Sequence, residues 1–170
     1  MEALAYCHAK GIMHRDVKPS NIILEPSSLE IKLIDWGLSE FYLEEAEYHT
    51  RVSSRPFKGP ELLIGFKKYD FSMDIWSVGC ILGGLIFEKN YFFLGKDNDD
   101  QLTEIVKILG TPKFQDYLQK YNVLLHPSTM KLYKGKSEIP FEKFITKTNQ
   151  HLVTKDALDL LKKMLIYDHE

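Results

Sequence analysis

His14-Arg15-Asp16-Val17-Lys18-Pro19-Ser20-Asn21 is the stretch that decides how this chain is read. On its amino-terminal side, residues 1–9 read as the end of an amphipathic helix that Gly11 terminates. On its other side, Asn21-Ile22-Ile23-Leu24 and Leu29-Glu30-Ile31-Lys32-Leu33-Ile34 are short β-type runs. Glu25-Pro26-Ser27-Ser28 separates them as a turn, so the spacing predicts a small hairpin. Residues 35–61 show no sustained period and hold two glycines and two prolines, which predicts a long ordered loop. Loops of that length in compact domains are usually functional.

The octapeptide fits the pattern H-R-D-L-x-x-x-N, with Val17 in place of Leu. Asp35-Trp36-Gly37 begins fourteen residues after Asn21, and Gly59-Pro60-Glu61 begins twenty-four residues after Asp35. Each triplet alone is weak. Their order, the hairpin between the first two and the loop between the last two argue against chance. On these residues the whole chain resembles a protein kinase catalytic domain, from the helix before the catalytic loop onwards.

The resemblance implies a chemistry that suits the residue types. A protein hydroxyl attacking a nucleotide γ-phosphate needs an acceptor for its proton and cations that offset phosphate charge. By resemblance, Asp16 is the acceptor and orients the hydroxyl. Asn21 and Asp35 supply oxygen ligands to Mg²⁺, and Lys18 reaches the transferred phosphoryl group. The implied catalytic set is Asp16, Lys18 and Asn21; the nucleotide-facing set is Lys18, Asn21, Ile23, Ile34 and Asp35. ATP is the implied nucleotide, with GTP as an alternative. A lone Asp or Asn in a loop is more often a turn or cap residue than a ligand, but four polar residues on one pattern weaken that reading. His14 and Arg15 are taken as structural. His8, His49, His126, His151 and His169 show no metal spacing and read as surface or ordinary core residues.

Bulk properties bound the rest. One domain over residues 1–170 is expected, with a hydrophobic share of 44% that supplies a real core. A net charge of −2 gives no global attraction to nucleic acid or anionic membrane, so anion recognition must be local. Cys7 and Cys80 are too few for a disulfide scaffold and read as buried thiols in a reducing compartment. The longest apolar stretch, Cys80 to Phe87, is far short of a membrane span. The first residues lack the layout of a signal peptide.

Downstream, the periodicity predicts helices. Ser72 is the expected N-cap of a largely buried helix running to about Glu88. Further helices are expected over Asp99 to Leu109, Phe114 to Tyr121 and Thr154 to Leu165, with Leu102, Ile105, Val106 and Leu109 on one stripe. The fold expectation is an α+β protein kinase-like fold: a mainly α-helical carboxy-terminal lobe with a small β-hairpin. Asp74-Ile75-Trp76-Ser77-Val78-Gly79 matches a kinase signature whose acid accepts hydrogen bonds from the catalytic-loop backbone.

Finer features narrow the resemblance. Asp-Trp-Gly stands for the usual Asp-Phe-Gly, and Gly-Pro-Glu for Ala-Pro-Glu. Together with Leu109-Gly110-Thr111-Pro112, Asn149-Gln150-His151-Leu152-Val153 and Tyr167-Asp168-His169, they make the chain similar to casein kinase II catalytic α subunits. The Trp36 indole N–H can donate a hydrogen bond that Phe cannot, which would hold the triplet in one position. Arg51, Arg55 and Lys58 lie between Thr50 and Gly59 with no acid among them. Such a cationic floor beside the residue following the target hydroxyl favours acidic protein substrates, as the resemblance implies. Pro56 stands where that family usually has an aromatic residue. Tyr48, Thr50, Ser53 and Ser54 read as ordinary loop residues.

No G-x-G-x-x-G occurs, and no strand Lys with its helix Glu is recognisable. The expectation is a carboxy-terminal lobe cut at both ends, with the amino-terminal lobe absent and Glu61 without its usual Arg partner. These residues alone are then expected to turn over little. Two readings stay open: part of an active serine/threonine kinase, or a catalytically silent lobe acting as a binding module. The resemblance implies a casein kinase II regulatory subunit as partner through the missing lobe, and cytoplasm and nucleus as location. It implies no nucleic acid and no membrane.

Overall fold

Two short antiparallel pairings frame the octapeptide in the computed structural model, which describes residues 1–169. Helix α1 (Glu2–Ala9) ends at Lys10, and Gly11 takes a φ of 74° that reverses the chain. Strand β1 (Ile12–Met13) then pairs with β4 (Glu40–Phe41), Ile12 opposite Phe41 and Met13 opposite Glu40. Two-residue strands carry no alternation, so the sequence pattern could not show them. After a 3₁₀ turn at Pro19–Asn21, β2 (Ile22–Glu25) and β3 (Glu30–Leu33) form the expected hairpin, with Ile22 opposite Leu33 and Leu24 opposite Ile31. The Ile34 N–H donates to the Asn21 carbonyl at 2.9 Å and extends the pairing by one step. That bond holds Asn21 and Asp35 at the two ends of one hairpin.

The long loop is ordered but not featureless. It contains β4, a 3₁₀ turn at Arg55–Phe57, and the start of helix α2 (Pro60–Leu63), where Pro60 occupies the first turn at no hydrogen-bonding cost.

Helix α3 (Ser72–Ile86) is the central element. Its start differs from the expectation. Ser72 is the first helical residue rather than the cap, and the Asp70 carboxylate accepts the Ser72 N–H at 2.7 Å. The helix also stops at Ile86, two residues short of Glu88. Helix α4 (Asn98–Leu109) is capped by Asp97, whose side chain accepts the Asp100 N–H at 2.8 Å. Helix α5 (Thr111–Lys120) begins earlier than the apolar pattern suggests, because Pro112 suits a first turn as well as it ends the helix before. Helix α6 (Pro127–Tyr133) and a 3₁₀ turn at Phe141–Phe144 were not expected; both are too short for a period to be read. Helix α7 (Lys155–Met164) is one residue shorter at each end than expected, and Thr154 caps it by accepting the Ala157 N–H at 3.1 Å.

The larger hydrophobic cluster joins α3, α4, α5 and α7 through Trp76, Phe93, Ile105, Val106, Phe114 and Leu161. Each such side chain contributes roughly 1.5–3 kcal/mol on burial. Gly79 lets α3 and the end of α7 meet: a Cβ there would come within 2.8 Å of Leu165 Cδ2 and 2.9 Å of Met164 Cβ. A smaller cluster of Met13, Tyr48, Val52, Leu62, Tyr69 and Met73 lies beneath the loop. The expectation of two buried thiols holds for Cys80 alone; Cys7 is half-buried, and both are free. Burial pushes the Cys80 thiol well above its ordinary range, so it stays neutral. No helix among the described residues is long and apolar enough to cross a membrane.

Candidate active site

Asp74, near the start of α3, holds the octapeptide from below. Its Oδ2 accepts the His14 N–H and its Oδ1 the Arg15 N–H, both at 2.8 Å. A third donor comes from α1, where His8 Nε2 lies 2.9 Å from Oδ2. The sequence reading treated His8 as an ordinary residue. Its partner lies 66 positions away, and no local signal links the two.

Arg15 adopts a φ of 66°, an unusual conformation for a non-glycine residue. Its guanidinium explains why the strain persists. Nε donates to the Leu38 carbonyl at 2.7 Å, Nη1 to the Tyr69 hydroxyl at 3.2 Å, and Nη2 lies 3.6 Å from Glu40 Oε2. His14 Nε2 donates to the Ile34 carbonyl at 3.0 Å, and its ring meets Trp36 edge-on. Both residues thus tie the octapeptide to the segment around Asp35, as the structural reading of them expected. The Trp36 indole N–H donates to the Leu33 carbonyl at 3.3 Å, the bond that Phe could not make.

The upper side of the loop gathers the polar side chains. Asp16 Oδ2 accepts from Lys18 Nζ at 2.7 Å and from Asn21 Nδ2 at 3.2 Å. Asn21 Nδ2 also donates to the Asp16 carbonyl at 2.9 Å, which leaves its amide oxygen as the atom available to a ligand. Ser54 completes the cluster: its hydroxyl donates to Asp16 Oδ1 and accepts from Lys18 Nζ, each at 3.2 Å. Sequence reasoning missed Ser54, because only the return of the long loop over the octapeptide places it there. Asp35 is exposed with a φ of 61°, and its Oδ1 accepts the Gly37 N–H at 3.4 Å. Left-handed backbone occurs at Arg15, Asp35 and Ser53 around this site, as well as at Leu29, Glu45, Glu88 and Asn122 elsewhere.

The remaining expected residues divide. Ile23 and Ile34 flank the hairpin end but are 52% and 37% exposed, so the structure does not enclose them. Lys58 is buried beside Arg55; burial first and the Arg55 charge second push its ammonium below the usual lysine range. Among the described residues no carboxylate pairs with it. Arg55 Nη1 donates to the Lys96 carbonyl at 2.6 Å, and Arg51 is exposed. No group of three or more His, Cys, Asp or Glu side chains among the described residues forms a metal site.

The model of the protein kinase domain family matches residues 1–170. The chain belongs to that family. The helix-rich architecture with two small antiparallel sheets is that of the carboxy-terminal lobe of the kinase fold. The octapeptide held on Asp74 and the hairpin joining Asn21 to Asp35 lie within the matched residues.

Proposed function

We propose that this kinase domain is of serine/threonine type, resembles the casein kinase II α subunit in activity, and transfers the ATP γ-phosphate to Ser or Thr in acidic sequence context. The observation that carries the reading is the convergence of Lys18, Asn21 and Ser54 on Asp16, with Asp35 at the far end of the same hairpin. Asp16 accepts the proton of the attacking hydroxyl and orients it. Lys18 and Ser54 fix the carboxylate so that one rotamer faces the incoming hydroxyl. Lys18 also screens charge on the transferred phosphoryl group.

The residues present suit Mg²⁺. The free Asn21 amide oxygen and the exposed Asp35 carboxylate are hard oxygen donors, and Mg²⁺ is commonly held by one or two protein groups plus phosphates and water. When bound, it supplies positive charge between the phosphates. GTP is proposed as an alternative donor.

Lys58 supports the acidic substrate class. The Lys58 ammonium is partly desolvated and has no carboxylate partner among the described residues, and an incoming Asp or Glu would pair with it. A casein kinase II regulatory subunit as partner, and residence in cytoplasm and nucleus, are proposed on the same resemblance.

The test is incubation of the chain with Mg-ATP and a Ser peptide followed by Asp and Glu. Transfer that Asp16→Ala abolishes supports the reading. Little transfer is expected from these residues alone, so the silent binding module is the reading only if peptide is bound and nothing is transferred once an amino-terminal kinase lobe with its Gly-rich loop and strand Lys is supplied.

A further inference from the structure

A groove of about 540 Å³ opens directly beside the Asp16 cluster. It is lined by Lys18 and Ser54 of that cluster, by Ser20 and Pro56, and by Asn90 and Tyr91 from the segment after α3. Tyr91 is 44% exposed and its ring meets Phe57 edge-on, centroids 6.0 Å apart. No carboxylate lines the groove among the described residues. The Asp16 carboxylate beside it is already engaged by Lys18, Asn21 and Ser54. The neighbouring guanidinium of Arg55 is turned to the Lys96 carbonyl.

We propose that this groove seats a substrate side chain flanking the acceptor hydroxyl, and that Asn90 and Tyr91 determine what it accepts: neutral side chains, with Lys and Arg rejected. The inference rests on the kinase reading above, since the occupant is the segment that carries the Ser or Thr to Asp16. Continuity with the site identifies that occupant, because the groove shares Lys18 and Ser54 with the catalytic cluster. Charge sets the selectivity. A substrate cation here would lie near the Lys18 ammonium with no acid to pair with, whereas a neutral side chain can lie on Tyr91 and Pro56 and hydrogen-bond to Ser20 or Asn90. The determinant is separate from Lys58, which addresses acids. Two local environments would then read two different substrate positions.

The experiment uses the 170-residue chain and a set of fluorescent Ser peptides with acidic residues after the Ser. Each remaining position within three residues of the Ser is varied through Lys, Asn and Phe, and binding is read by anisotropy. At one position, Lys should bind roughly fivefold more weakly than Asn or Phe, the size expected of a partly exposed like-charge contact. Asn90→Asp should remove that penalty at this position only, and Tyr91→Ala should weaken the Phe peptide at the same position. Both residues are exposed, so neither variant should disturb the fold, which far-UV circular dichroism checks. Equal binding of Lys and Asn at every position, or an Asn90→Asp effect spread evenly over all positions, overturns the proposal while leaving phosphotransfer to test the kinase reading. A folded chain that binds none of the peptides overturns both.

Discussion

Asp74 and Glu61 are both buried carboxylates, 0% and 2% exposed, and the protein treats them in opposite ways. Asp74 is met by the backbone N–H groups of His14 and Arg15 and by the His8 ring. Glu61, in α2, has an Oε1 with no hydrogen-bond partner among the described residues. Burial, helped by the Asp70 charge and opposed by a local backbone hydrogen bond, pushes its carboxyl up to about 7. The difference teaches what a buried acid can do. With donors supplied, it fixes a loop in a conformation as strained as that of Arg15. Without them, it becomes a pH-dependent liability.

The largest way to break this comparison is Asp74→Ala. It strands two buried backbone donors and the His8 ring, so the expected loss is about 4 kcal/mol in urea unfolding. That is a large share of a typical domain's stability. A loss below roughly 1 kcal/mol would show that the octapeptide is held by something else.

Next in size is the pH response of Glu61. The folded chain keeps a proton that the unfolded chain releases above the ordinary carboxyl pKa of 4.5, up to about 7. Stability should therefore fall as pH rises through that window and stay flat above it. Glu61→Gln should remove this fall, being more stable than the parent by on the order of 3 kcal/mol above pH 8 and nearly equal to it at pH 4.5. Parallel unfolding curves for the two proteins across pH 4.5–8 would refute the assignment.

A smaller effect sharpens the Asp74 side. His8→Phe keeps the ring against Phe71, now 4.9 Å between centroids, and removes one of three donors. About 1 kcal/mol should be lost, because the two backbone donors remain. His8→Gln, which can still donate, should recover part of it. The smallest effect is expected where water does the solvating: Glu45→Gln breaks the exposed contact with Lys68 and should leave the melting temperature unchanged.

Much of this molecule was legible before any coordinates. The hairpin followed from the runs Asn21–Leu24 and Leu29–Ile34 being separated by a Glu-Pro-Ser-Ser turn, though its register did not, and the α4 stripe followed from its spacing. The roles of Asp74, Arg15 and the Trp36 indole were also readable from motif context. The β1–β4 pairing, α6 and the Phe141–Phe144 turn were not, since elements of a few residues leave no period. Ser72 was misplaced by one step because the Asp70 carboxylate, two residues earlier, took the capping role.

The sequence by itself determined the family, the order of the hairpin and the longer helices, and Lys18 and Asn21 as companions of Asp16, because these depend on residue type at short spacing. Only the tertiary structure decided which distant groups meet. It brought Ser54 onto Asp16 across 38 positions, His8 onto Asp74 across 66, and Asn90 and Tyr91 to the edge of the site. It also decided that Glu61 is enclosed with its Oε1 unpartnered while Asp74 has three donors. The physical reason is that solvation and pairing depend on what surrounds a group in space, and chain order does not state it.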